Sequence, residues 1–68
     1  MKLTIEYEQE ADGSWIAEIP QLSGVMVYGR TAEEAAKKAE ILALRVLAER
    51  LEQGEGKATD ISILFAPA

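Results

Sequence analysis

Glu6, Glu8 and Glu18 are the residues of this 68-residue chain whose types and spacing could do chemistry. Glu6 and Glu8 share one face of an alternating stretch, and Glu18 sits in a second, so pairing the stretches would set carboxylates side by side. Like charges directly opposite on a sheet are unfavourable, and such a pair invites a reason. Two carboxylates on neighbouring strands can hold a magnesium ion for phosphodiester cleavage. A working site needs further ligands, however, and neither Asp12 nor Asp60 converges on the pair. With no His and no Cys, the chain lacks the commonest zinc ligand, the usual general base at neutral pH and any thiolate. No catalytic residue, cofactor or metal site is therefore expected. The three glutamates read as a solvated acidic face or as a docking surface for a basic partner.

The overall balance points the same way. Seven Lys and Arg against twelve Asp and Glu leave a formal net charge of -5, so the phosphate backbone of a nucleic acid is repelled on average. Trp15 and Tyr28 could be binding aromatics, but the apolar alternation around Trp15 places it at least partly in the core. Arg30 could grip an anion near a helix start, although a surface arginine is the plainer reading. Arg50 could reach loose carbonyls at a helix end. Gly13, Gly24 and Gly29 are read as turn residues, since their spacing is not that of a phosphate loop.

The elements that would carry these residues are legible. Residues 2–8 alternate, with Leu3, Ile5 and Tyr7 on one side and Lys2, Thr4, Glu6 and Glu8 on the other. Ala11-Asp12-Gly13 supplies a three-residue turn with Gly13 in the left-handed position, and a second strand follows over 15–19. That loop length pairs Glu10 with Ser14, Tyr7 with Ala17, Ile5 with Ile19 and Glu6 with Glu18, so the apolar sets coincide. A two-residue loop would mix the faces. Pro20 ends the second strand. The run Val25-Met26-Val27-Tyr28, apolar on both sides, reads as a third strand that is central or largely covered. A fourth is expected over 60–65, with 66–68 frayed.

Between the third and fourth strands, 31–52 reads as one long helix. Thr31 and Glu34 have capping-box spacing, Glu33 and Glu34 suit the positive end of the dipole, and Gln53-Gly54 suits a left-handed cap. Ala35, Ala36, Ala39, Leu42, Ala43, Val46 and Leu47 form one broad arc that faces the sheet. A second stripe, Ile41, Leu44, Ala48 and Leu51, lies roughly opposite. It reads either as scattered exposed aliphatics, partly covered by the connection 54–59, or as the contact of a homo-oligomer, dimer or tetramer. A domain of this size has only a marginal core, so the oligomer is the expectation.

The order strand, strand, strand, helix, strand implies one α+β domain over 1–68, a two-layer β-β-β-α-β sandwich with a mostly antiparallel sheet. No stretch approaches the ~20 apolar residues of a membrane span. The first residues turn acidic at once and lack the pattern of a signal peptide, so a cytoplasmic protein is expected.

Asp12-Gly13-Ser14-Trp15-Ile16-Ala17-Glu18-Ile19-Pro20-Gln21-Leu22-Ser23-Gly24-Val25, followed by Tyr28-Gly29-Arg30-Thr31-Ala32-Glu33-Glu34-Ala35, resembles the HicB-like antitoxin family of prokaryotic toxin-antitoxin systems. The resemblance covers nearly the whole chain. It implies a fold like a truncated ribonuclease H unit and a partner of the HicA type, a small basic protein that cleaves messenger RNA and is neutralised by direct binding. Ser23 stands where the family usually has Pro, and Val25 where Cys is frequent. Many members also carry a C-terminal DNA-binding segment; this sequence ends after the fourth strand, so direct DNA binding is not expected. The carboxylates of ribonuclease H match no positions here, and no nuclease activity is inferred.

Overall fold

The computed structural model describes residues 1–54 and 62–67. Strands β1 (Lys2–Gln9), β2 (Trp15–Glu18) and β3 (Met26–Gly29) precede helix α1 (Ala32–Glu52), and β4 (Leu64–Pro67) follows it. They form an open sheet of order β3-β2-β1-β4 with the helix across one face. β1 pairs antiparallel with β2 and parallel with β4, while β2 pairs antiparallel with β3. Consequently β3 and β4 run the same way, at opposite edges, and α1 is the crossover that joins them.

The first hairpin is closed by the three-residue loop. The Glu10 amide donates to the Ser14 carbonyl at 2.7 Å, the Gly13 amide to the Glu10 carbonyl at 2.9 Å, and Gly13 takes φ +91. Asp12 finishes the turn by accepting from both the Ser14 amide (2.9 Å) and hydroxyl (2.6 Å). The resulting register is Glu6 opposite Glu18 and Tyr7 opposite Ala17. Beyond Glu18 the chain leaves its pairing with β1, and the Gln21 side chain takes over. Its Oε1 accepts from the Thr4 amide at 3.2 Å and its Nε2 donates to the Thr4 hydroxyl at 2.8 Å, so an amide side chain holds β1 beyond the last paired residue of β2.

Leu3, Ile5, Ala17, Ile19, Leu22, Val25, Ala35, Ala39 and Ala43 are buried, with Trp15, Val27, Ala36, Leu42, Val46, Leu47, Ile63 and Phe65 packed around them. The arc of α1 expected to face the sheet does so. Its alanines bring the backbones close: a Cβ on Gly29 would lie 2.5 Å from the Ala35 amide nitrogen. Gly29 is therefore the last residue of β3, required by proximity to the helix, rather than a turn glycine.

At the helix start, the Thr31 hydroxyl accepts from the Glu34 amide at 3.0 Å. Only half of the expected capping box forms, because the Glu34 carboxylate turns outward to Lys38 at 3.1 Å. At the far end the Gln53 amide donates to the Glu49 carbonyl, the Gly54 amide to Leu51, and Gly54 takes φ 76. That is the left-handed ending the Gln53-Gly54 pair suggests.

Two strand readings need correction. The apolar run 25–28 does not form a covered central strand: β3 is an edge, and Met26 and Tyr28 are exposed. Only Val25 is fully buried, with Val27 half-buried, because one helix shields one face of the sheet and nothing among the described residues shields the other. The fourth strand is also displaced. Ser62 and Ile63 precede it, residues 60 and 61 lie outside the described residues, and Ala66 and Pro67, expected to fray, pair with Thr4 and Ile5. The N-terminus sets this register: the Leu64 amide donates to the Met1 carbonyl at 2.9 Å, and the Met1 amino group to the Ser62 carbonyl at 2.7 Å.

Candidate interaction surfaces

The strand pairings place the three glutamates together on the sheet face away from α1. Two cross-strand rows run over it: Tyr28, Ile16 and Glu8 in one, Met26, Glu18 and Glu6 in the next. Each row passes from an apolar side chain at the β3 edge to a carboxylate on β1. Glu6 and Glu8 are exposed and Glu18 is half-buried. Among the described residues the ion pair is Lys38 with Glu34, so no cation neutralises these acids there. Nor does any group of three or more His, Cys, Asp or Glu among the described residues converge tightly enough to hold a metal ion. The face thus offers acceptors and negative charge to a partner, together with two apolar contacts.

The second candidate surface lies on α1. Ile41, Leu44, Ala48 and Leu51 are all exposed, and in one copy of the chain the described residues leave this stripe bare. The connection that could cover part of it, 54–59, lies outside the described residues apart from Gly54. Ile41 also borders a groove of about 290 Å³ with Val27, Lys38, Leu42 and Arg45, which connects the stripe to the β3 edge.

Compared with family models, with curated proteins and with solved structures, this chain matches none.

Of the remaining sequence candidates, Trp15 packs half-buried against the core, as its alternation implied. Arg30 is exposed and lines an open depression of about 450 Å³ beside the helix start, with Ser14, Tyr28, Gly29, Glu34 and Lys38. Arg50 is exposed in the last turn, where Gln53 and Gly54 already satisfy carbonyls. Tyr7 lies on the helix side of the sheet but is 39% exposed, as β1 runs past the cover of α1. Tyr28, a candidate binding aromatic in the sequence, is exposed at the β3 edge, whereas Met26 and Gln21 were the residues that pattern reading missed. Alternation was the available signal: pairing with Ile16 and Glu18 fixes the face on which Met26 and Tyr28 must lie. Two carboxyls are shifted by their neighbours. The Ser14 hydroxyl and amide hold Asp12 below its ordinary value, and the Lys38 ammonium does the same for Glu34. No helix among the described residues is long and apolar enough to cross a membrane.

Proposed function

We propose that this chain is a small acidic protein-binding module of the HicB type, with the truncated ribonuclease H-like fold that the resemblance implies. Its outer sheet face would dock a basic HicA-like toxin and cover the surface that cleaves RNA, acting in the cytoplasm. The observation that carries this reading is the placement of Glu6, Glu8 and Glu18 on one uncovered face without a neutralising cation among the described residues. Such a patch accelerates encounter with a basic protein and sets its orientation. The helix stripe Ile41, Leu44, Ala48 and Leu51 serves self-association in this reading. The module binds and performs no chemistry of its own. Its runner-up is a stand-alone homo-oligomeric structural protein without a toxin, favoured by the same bare stripe.

The test mixes the purified chain with the product of the adjacent reading frame, where that frame encodes a small basic protein. Light scattering should show a gain in mass, and the triple variant E6K/E8K/E18K should bind on the order of tenfold more weakly, chiefly through a slower association rate. No gain in mass, or equal binding by the triple variant, rejects the docking face. Cleavage of RNA or DNA by the chain alone with magnesium or manganese would reject the non-enzymatic reading.

A further inference from the structure

We propose that β3 pairs with the β3 of a second copy of this chain, antiparallel and across a two-fold axis at Val27, joining two four-stranded sheets into one. The argument begins with the direction of main-chain groups. The Ile19 amide donates to the Val25 carbonyl at 3.1 Å, which makes that pair a hydrogen-bonded position of the β2–β3 ladder. Alternation then turns the groups of Val27 and Gly29 inward toward Ala17 and Trp15, and those of Met26 and Tyr28 outward to the open edge. Among the described residues the outward groups have long substitutes. The Met26 amide donates to the Gly24 carbonyl at 3.2 Å, and Lys38 Nζ donates to the Tyr28 carbonyl at 3.3 Å.

A two-fold axis at Val27 sets Met26 opposite Tyr28 of the second copy, and Tyr28 opposite its Met26. Each pair has both members facing outward, so each can exchange two amide–carbonyl bonds. The side chains agree as well. On the outer face Met26, 51% exposed, meets Tyr28, 59% exposed, a thioether against an aromatic ring. On the helix face Val27 meets Val27 at a non-hydrogen-bonded position.

The two edges of the sheet are unlike. β4 ends in Pro67, one of the usual devices against edge pairing, whereas Met26, Val27 and Tyr28 include neither a proline nor a charge. An apolar run suited to a covered strand is left uncovered by the described residues of a single copy, and this pairing makes it central. The strand itself selects the occupant. Glu34 and Lys38 already pair within one copy at 3.1 Å, so they ask for no partner of either sign. The two outward positions, Met26 and Tyr28, are complementary to each other under a two-fold axis, and a second copy supplies both.

Cross-linking tests it, on a background free of cysteine. At a non-hydrogen-bonded antiparallel position the Cα atoms are about 4.5 Å apart, within disulfide range. Val27→Cys should therefore form a covalent dimer on mild oxidation, while Leu64→Cys at the other edge should not. As a second arm without cysteine, Met26→Lys with Tyr28→Lys, both at exposed positions, should lower the mass in solution by about half with unchanged circular dichroism. A folded Val27→Cys that stays uncross-linked, equal cross-linking of Leu64→Cys, or an unchanged mass for the lysine variant each overturns the pairing. None of these readouts needs a basic partner, so a chain that cross-links at Val27 yet binds no toxin rejects only the docking proposal.

Discussion

Gly29 shows how a single residue can be fixed by its neighbour rather than by its own backbone. It has no positive φ, yet a Cβ there would sit 2.5 Å from the Ala35 nitrogen and 2.9 Å from its Cα. Both are backbone atoms in the first turns of α1, so no rotamer change relieves the clash. Gly29→Ala should destabilise the fold by about 1–3 kcal/mol, the usual range for forced overpacking, read as a lower denaturant midpoint. An unchanged midpoint would mean that α1 can lift from β3 freely. In the sequence this glycine resembles a turn residue, because the helix that constrains it is visible only once α1 is laid on the sheet. Gly13 was legible for the opposite reason: its left-handed φ follows from loop length alone.

At the scale of elements, the helix was the most readable part, since its caps and its two faces are local properties. Even there the capping box resolved differently: Glu34 chose Lys38, four residues on, over the Thr31 amide. This has a pH signature. Lys38 depresses the Glu34 carboxyl, so the folded state binds its proton less tightly than the unfolded chain does. The contribution is fully present above the ordinary value of 4.5 and is lost as the pH falls through the lower folded value. Carbon-detected NMR titration should place the Glu34 midpoint below 4.5, and Lys38→Met should move it back up. Should the midpoint stay put in that variant, the ion pair is not its cause. The hairpin was equally readable, because a three-residue loop admits one register that keeps the apolar sets together. β4 was less so: its anchor is the distant Met1, sixty-one positions from Ser62, and no local pattern announces that contact.

For the molecule as a whole, the question is how a small core is supplemented. Among the described residues nine buried apolar side chains, four of them alanine, form the centre, while Met26, Tyr28, Ile41, Leu44 and Leu51 stay exposed. Self-association that hides part of that surface couples folding to concentration. The thermal midpoint of the chain should therefore rise with protein concentration, by mass action. A midpoint independent of concentration, with the mass of one copy, would remove both the helix stripe and the β3 edge as contacts. The same shape accounts for the acidic face: α1 covers one side of the sheet, so Glu6, Glu8 and Glu18 remain available on the other.

The sequence by itself determined the hairpin and its register, the bounds and sheet-facing arc of α1, and the outward placement of the three glutamates. These depend on period, loop length and hydrogen bonds between near neighbours, so a local reading suffices. Strand order belonged to the tertiary structure. Once a long helix separates β3 from β4, the returning strand can reach either side of the existing sheet, and its choice of β1 left β3 at an edge. An apolar run records that a strand prefers to be covered; which surface covers it is decided by pairings far apart in the chain.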